Sequence, residues 1–208
     1  MASRRRKLEE EVFEKFSAGF IERLSRLGIK PMAVTALAFI TALASAAFYY
    51  LGAVAPASYF LAVIFLALSG FFDAVDGAVA RRLKMTSDLG AFLDSVFDKL
   101  GEAAIYVAII ASGAVSAFWG AFALTSSLMV SYVRHRAEPL GVNLKGVGFM
   151  ERAERTILLI IASIITPFIK QALEISMILI AVLAMITVAW RMIYAIQTLR
   201  ARASHKRS

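Results

Sequence analysis

A chain of 208 residues in which 60% are hydrophobic is too apolar for an ordinary soluble domain, where the comparable fraction is about 45–50%. The net charge of +8 lies in short segments beside long apolar runs, which excludes a solvated basic face for nucleic acid and indicates an integral membrane protein. Cysteine is absent, so disulfides, thiolate nucleophiles and cysteine metal sites are excluded as well.

Residues 1–30 are predicted to form a juxtamembrane amphipathic helix that lies on the membrane surface. Their apolar side chains recur every three or four residues, at Leu8, Val12, Phe16, Phe20, Leu24 and Leu27. This is the periodicity of one helix face, with charged residues on the other. A solvated helix packed on a cytoplasmic partner is the alternative.

Residues 31–208 are predicted to form one all-α membrane domain of six transmembrane helices. The apolar segments that predict them cover about 31–52, 57–82, 88–112, 114–137, 152–170 and 174–199. The third segment is the least hydrophobic, because Asp94, Asp98, Lys99 and Glu102 lie in its first half. It is kept as a span because without it the basic loops would fall on opposite sides of the membrane.

The distribution of basic residues predicts the orientation of this domain in a cell membrane. Lysines and arginines cluster before the first span, between spans two and three, between spans four and five, and in the C-terminal tail, whereas the opposite side carries only Lys170. Cytoplasmic loops are enriched in Lys and Arg. Both termini are therefore expected to be cytoplasmic, together with the link between spans two and three.

Four aspartates follow a fixed spacing around that link. The pattern is D-x2-D-G-x2-A-R-x8-G-x3-D-x3-D, formed by Asp73, Asp76, Gly77, Ala80, Arg81, Gly90, Asp94 and Asp98. Aspartates three or four residues apart share one helix face, so two pairs on neighbouring helices can converge on one site. Ionised carboxylates at membrane depth cost free energy, so their presence indicates a functional site. A divalent cation would relieve the repulsion between them, and Mg2+ is favoured, with Mn2+ as the alternative.

The residues between the aspartates suit a phosphate-bearing ligand. Gly77 and Gly90 lack side chains where a ligand could approach the helix backbone, and Ala80 keeps the same surface shallow. Arg81 can offer a planar fork of donors to a phosphate. The alternative is a set of helix-end aspartates that only pair with Arg81, Arg82 and Lys99.

The eight motif positions resemble the signature of the CDP-alcohol phosphotransferase family without departure, and the six-helix plan extends the resemblance over nearly all of residues 31–208. The resemblance implies an enzyme in which an alcohol hydroxyl displaces CMP from a CDP-linked lipid. It implies metal binding by Asp73, Asp76 and Asp94, with Asp98 as a further metal ligand or the catalytic base. It further implies nucleotide binding by Pro31, Thr35, Asp73, Gly77, Ala80, Arg81 and Thr86.

A second group of charged residues suggests the acceptor. Its members are Arg134, Arg136, Arg152, Arg155 and Arg191. The last lies within the sixth span, where an arginine is costly without a partner, so it is expected to face the interior of the helix bundle. Arginine suits a phosphate monoester, although ordinary loop charge balanced by Glu138, Glu151 and Glu154 is the alternative. The stretches SYVRHRAE and ERAER resemble the subgroup that uses inositol phosphate as acceptor, and His135 between two of the arginines is expected to be structural.

Other functions fit the sequence less well. Glycerol 3-phosphate is the alternative acceptor, since it also carries a phosphate. An intramembrane prenyltransferase needs more spans, and a cation transporter needs charge at the midplane and polar groups on the far side.

The family also suggests a homodimer, for which small residues such as Ala42, Ala44, Ser45 and Ala46 would permit close packing. CDP-archaeol and CDP-diacylglycerol both remain open as lipid donors.

Overall fold

The computed structural model describes residues 18–19, 21–24, 26–28, 30–83 and 85–205, and the elements assigned in them are all helical. Six α-helices follow one another: α1 Pro31–Leu51, α2 Ser58–Arg82, α3 Asp88–Ala111, α4 Ala117–Ala137, α5 Arg152–Ile165 and α6 Ala172–His205, with a 3-10 turn Glu138–Leu140 after α4. The predicted all-α class is confirmed. Most of the predicted amphipathic helix lies outside the described residues.

Local signals explain where several helices begin and end. α1 begins at Pro31, whose fixed φ and missing N–H suit the first helical position. Ser87 Oγ accepts a hydrogen bond from the Gly90 backbone N–H at 3.1 Å at the start of α3, and Ser116 caps α4 through Trp119 N in the same way. The turn after α4 ends at Gly141, whose φ of 72° favours glycine.

Three helices are long and apolar enough to cross a membrane among the described residues: Pro31–Leu51, Ser58–Arg82 and Ala172–Ser204. This agrees with an integral membrane protein. The 14 residues of α5 extend over about 21 Å, which is shorter than the hydrocarbon core of about 30 Å. α3 meets the length requirement but carries Asp94, Asp98, Lys99 and Glu102. The complete six-span arrangement therefore stays a prediction.

The chain divides into two compact units. The first consists of the chain up to Ala47 together with Leu61–Ile105. Small polar side chains join α1 to α2 there: Ser45 Oγ donates to Ala62 O at 2.8 Å, and Ser69 Oγ donates to Ala38 O at 2.9 Å. Such hydrogen bonds stabilise helix pairs in lipid. Of the small residues predicted to permit close helix packing, Ala42, Ser45 and Ala46 are buried within this chain and Ala44 is half-buried.

Glycine brings α3 close to α1 in the same unit. A Cβ on Gly101 would lie 2.9 Å from the Ala42 Cβ, a distance that real Cβ atoms essentially never show. Phe39 and Phe97 stack beside this contact with ring centroids 4.8 Å apart. The close approach holds the part of α3 that follows Asp94 and Asp98 against α1.

The second unit contains Phe48–Phe60 and Tyr106–Ser208, with α4, α5 and α6. Its interior also contains hydrogen-bonded polar groups: the hydroxyls of Tyr49 and Ser163 lie 2.8 Å apart and are buried. At one end, Glu174 Oε2 accepts a hydrogen bond from Ser116 N at 2.6 Å, joining the start of α6 to the start of α4. Thr187 and Arg191 lie further along the apolar length of α6, and both are buried.

Candidate active site and phosphate site

The predicted aspartates lie on the last turns of α2 and the first half of α3, all in the first unit. Asp76 is 7% exposed and is the most buried of them, whereas Asp73, Asp94 and Asp98 are half-buried. Asp76 faces the interior because Val75 and Val79, which flank it in sequence and on the helix, pack into an apolar cluster with Ile21 and Val34. Apolar packing of α2 thus holds one carboxylate away from water.

The Asp76 carboxylate lies near two others. Asp94 and Asp73 both interact electrostatically with it, and the Thr35 side chain of α1 also reaches it. Its Oδ2 atom is buried and has no hydrogen-bond partner among the described residues. A buried carboxylate oxygen in that condition costs free energy unless a cation or donor arrives, so the residues present fit a divalent cation.

Asp98 has a different environment. Lys99 Nζ donates a hydrogen bond to Asp98 Oδ2 at 2.6 Å and lies 3.8 Å from Glu102 Oε2. No group of three or more His, Cys, Asp or Glu side chains in the described ranges has the arrangement of a metal site. The structure places Asp73 and Asp94 near Asp76 and pairs Asp98 with Lys99. The Asp98–Lys99 ion pair is one that the alternative interpretation of the motif predicts.

The residues predicted to contact a nucleotide occupy one end of the first unit. Thr35 is buried and donates to Pro31 O at 3.2 Å, one turn earlier on α1. Arg81 is exposed and extends back along Gly77, where an added Cβ would lie 3.5 Å from its Nη1 atom. Ala80 is half-buried, and Thr86 is exposed in the link that precedes α3.

The arginines predicted to bind the acceptor lie in the second unit. Arg134, Arg155 and Arg191 are close enough for their charges to interact. Arg155 and Arg191 are each 2% exposed, Arg134 and Arg152 are half-buried, and Arg136 is exposed. Three cations held this close together repel one another, so an anion bound among them would be stabilised.

Protein groups already occupy several donors of these arginines. Arg155 Nη1 donates to Met150 O at 3.1 Å, and Arg134 Nε donates to Glu138 Oε1 at 2.9 Å. The latter hydrogen bond favours the carboxylate and lowers the pKa of Glu138 below its ordinary value. Arg134 thus has a carboxylate partner that an incoming anion would have to replace.

Arg191 makes three hydrogen bonds. Its Nε donates to Val147 O at 2.8 Å, its Nη1 to Val130 O at 2.8 Å, and its Nη2 to Glu151 Oε1 at 2.9 Å. Five donors are present on a guanidinium, so donors remain after these three contacts. The expectation that Arg191 faces the protein interior is confirmed.

Two residues in this region were not among the sequence candidates. Glu151 was interpreted only as a balancing charge, but it pairs with Arg191. Thr187 accepts hydrogen bonds from Phe149 N and Met150 N, each at 3.2 Å. A single threonine in an apolar helix gives no signal in the sequence that could identify this contact.

The chain matches known proteins along most of its length. Residues 29–200 match the family model for CDP-alcohol phosphatidyltransferase. An archaetidylinositol phosphate synthase from Methanothermobacter thermautotrophicus is 39% identical over 186 residues, covering 87% of this chain and 91% of the relative. A phosphatidylinositol phosphate synthase from Streptomyces avermitilis is 31% identical over 194 residues, covering 87% and 78% respectively.

Solved structures of a protein with the same kind of name are also similar to this chain. Mycobacterium tuberculosis phosphatidylinositol phosphate synthase with CDP-DAG bound superposes with a TM-score of 0.77 at 26% identity, over 87% of this chain and 94% of that one. The same enzyme in complex with manganese and citrate gives a TM-score of 0.75 at 27% identity, over 85% and 87%. The resemblance seen in the aspartate motif is confirmed, and the chain belongs to the CDP-alcohol phosphatidyltransferase family of transferase enzymes.

Proposed function

We propose that this enzyme transfers the lipid phosphate of a CDP-linked lipid to a hydroxyl of inositol phosphate and releases CMP. The observation that carries the proposal is the buried Asp76 carboxylate, whose Oδ2 has no partner among the described residues and whose neighbours are Asp73 and Asp94 of the family motif. The arginines of the second unit support a phosphorylated acceptor, and the relatives named as inositol phosphate lipid synthases support its identity.

The reaction assigns a role to each part of the first unit. The acceptor oxygen forms a bond to the lipid-bearing phosphorus, the bond from that phosphorus to the CMP oxygen breaks, and Asp98 takes the hydroxyl proton. Asp73, Asp76, Asp94 and Asp98 would hold a divalent cation, and the manganese complex of the mycobacterial enzyme supports divalent metal use. A bound Mg2+ ion would neutralise the diphosphate and the leaving CMP.

The remaining residues bind the two substrates. Pro31, Thr35, Asp73, Gly77, Ala80, Arg81 and Thr86 would contact the cytidine nucleotide. Arg134, Arg136, Arg152, Arg155 and Arg191 would hold the acceptor, and for Arg134 this requires exchange of the Glu138 carboxylate for the acceptor's phosphate. Charge and positioning supply most of the acceleration in transfers of this class.

The proposal includes a membrane arrangement. Residues 31–208 would form a six-span domain preceded by the amphipathic segment 1–30, with both termini and the aspartates on the cytoplasmic side. The asymmetric distribution of Lys and Arg supports this orientation. The family resemblance supports a homodimer. The orientation can be tested with cysteines introduced at the exposed positions Ser204 and Phe168. A membrane-impermeant reagent should react with the two cysteines from opposite sides of the membrane.

An acceptor panel tests the assigned activity. Purified protein would be supplied with CDP-archaeol or CDP-diacylglycerol, either Mg2+ or Mn2+, and inositol phosphate, glycerol 3-phosphate or free inositol. We expect CMP release with inositol phosphate and little with free inositol, because the arginines need a phosphate. Equal turnover of inositol phosphate and glycerol 3-phosphate would contradict the proposal that inositol phosphate is the specific acceptor. Turnover of glycerol 3-phosphate alone would identify it as the acceptor instead.

Substitution of Gly77 by alanine tests the nucleotide surface. The new Cβ would make only an ordinary contact of 3.5 Å with Arg81 Nη1, so the protein itself has room for it. A nucleotide that lies against the helix would collide with this Cβ. We therefore expect the KM for the CDP-lipid to rise about tenfold, equivalent to about 1.4 kcal/mol of lost binding free energy. Steady-state kinetics over a range of CDP-lipid concentrations measure the effect.

The matched control is Gly70→Ala on the same helix. Gly70 is exposed, and an added Cβ would meet nothing within 4 Å. Both alanines remove one glycine from α2 and give a similar gain in helix propensity. A normal KM for the CDP-lipid in Gly77→Ala would show that no ligand approaches that surface closely.

A further inference from the structure

The segment that leads into α5 has an unusual backbone. Residues 146–151, named here the α5 loop, contain two glycines with positive φ, Gly146 at 75° and Gly148 at 107°. The loop ends at Glu151, immediately before Arg152, and α5 then presents Arg155 in its first turn. The conformation of this loop therefore determines where the amino end of α5 and its arginines lie.

Thr187 of α6 holds the middle of the α5 loop. Its Oγ1 accepts hydrogen bonds from Phe149 N and Met150 N and donates one to Leu183 O at 2.8 Å. A hydroxyl has two lone pairs and one proton, so all of its hydrogen-bonding capacity is used. Thr187 is fully buried, so water does not compete for these hydrogen bonds.

Gly148 makes this approach possible. A Cβ on Gly148 would collide with the Thr187 side chain, and the φ of 107° is itself unfavourable for other residues. Both restrictions occur at one position. The α5 loop therefore lies directly on the surface of α6, without a side chain in between.

Arg191, one turn further along α6, holds both ends of the loop. Its guanidinium binds Val147 O and the Glu151 carboxylate, and Glu151 Oε1 also accepts a hydrogen bond from Gly146 N at 3.3 Å. Glu151 thus closes the loop on itself while it pairs with α6. Two consecutive turns of α6 therefore contact three backbone groups and one carboxylate of this six-residue loop.

We propose that Thr187 and Glu151 are positioning residues for the acceptor: they fix the α5 loop so that Arg152 and Arg155 are held ready for the acceptor's phosphate. The inference rests on the proposed function, because it assumes that these arginines bind the acceptor. Thr187 would act through the loop, from whose backbone N–H groups its hydroxyl accepts hydrogen bonds. Misplacement of a binding group by about 1 Å can reduce a rate up to about 100-fold, so a buried hydroxyl can influence acceptor binding without touching it.

The test compares two substitutions of Thr187. Thr187→Val keeps the shape but removes the oxygen that Phe149 N and Met150 N contact, whereas Thr187→Ser keeps that oxygen. In Thr187→Val we expect the KM for inositol phosphate to rise roughly tenfold and the KM for the CDP-lipid to stay within about twofold. Thr187→Ser should restore the acceptor KM. Amide hydrogen exchange of a peptide covering residues 146–151 should become faster in the valine variant and return to normal in the serine variant.

The outcomes separate this inference from the proposed function. An unchanged acceptor KM in Thr187→Val, or equal rises in the KM values of both substrates, would overturn the positioning role. Unchanged hydrogen exchange in Thr187→Val would overturn the contact itself. Absence of turnover of inositol phosphate by the wild-type enzyme would overturn the proposed function, and that result requires no variant.

Discussion

Replacement of Asp76 by asparagine is expected to lower transferase activity by about 10³-fold or more while the protein stays folded. Asparagine has the same shape but lacks the negative charge that would hold a divalent cation beside Asp73 and Asp94. Loss of one charge-stabilising group commonly costs about 10²–10³-fold in rate, and loss of a cation that neutralises the diphosphate should cost at least as much. CMP release at saturating metal and substrate concentrations measures the effect.

The same variant has a readout that does not depend on turnover. Without a cation, Asp76 places a charge in a buried position next to two other carboxylates, so its neutral replacement should raise the thermal unfolding temperature in metal-free buffer. Added Mg2+ or Mn2+ should then stabilise the wild type and have much less effect on Asp76→Asn.

Asp88→Asn is the matched control for this experiment. Asp88 is exposed in the first turn of α3 and lies outside the motif. Its substitution should change stability by less than about 1 kcal/mol, through the helix dipole alone, and leave activity near normal. Full activity of Asp76→Asn, or metal-induced stabilisation equal to that of the wild type, would exclude Asp76 as a metal ligand.

Replacement of Arg191 by methionine is expected to have the largest effect on stability, a loss of about 3 kcal/mol. Methionine fills a similar apolar volume but leaves Val130 O, Val147 O and the Glu151 carboxylate without the guanidinium donors. Glu151 keeps 26% of its side-chain surface exposed, which limits the cost of its lost partner. Thermal or denaturant unfolding in detergent micelles measures the change.

A second substitution identifies the origin of that loss. If the orphaned carboxylate causes much of it, Arg191→Met combined with Glu151→Gln should recover part of the stability, because the amide carries no charge. Arg200→Met, on the exposed surface of the same helix, should change stability by less than about 0.5 kcal/mol. A loss in Arg191→Met no larger than in Arg200→Met would show that the three hydrogen bonds contribute little.

The helices themselves were largely predictable from the sequence. Pro31 begins α1, Arg81 and Arg82 end α2, and the apolar runs between such signals are long enough to define element type and approximate bounds. α5 and α6 are the exceptions: α5 ends at Ile165 although the predicted segment continued to residue 170, and α6 continues to His205 although its predicted segment ended at residue 199. Thr166 and the short turns after it replace the last helical turns, which hydropathy alone does not reveal.

The candidate site was predictable as a set of residues but not as a geometry. The spacing of Asp73 and Asp76 places them on one helix face, but only packing of Val75 and Val79 against Ile21 and Val34 makes Asp76 the buried member. The spacing of Asp94 and Asp98 likewise did not indicate that Lys99 pairs with Asp98. Burial and ion pairing depend on neighbours that lie far away along the chain.

The sequence by itself determined the class of the protein, its helices, its family and the set of candidate site residues, because hydropathy, capping and a fixed motif spacing are local properties. Only the tertiary structure decided what those residues contact. Arg191 was expected to face inward, but its partners Val130 and Val147 lie 61 and 44 residues away, and Thr187 gave no signal at all. Hydrogen bonds between distant backbone groups depend on how helices pack, and no local pattern encodes them.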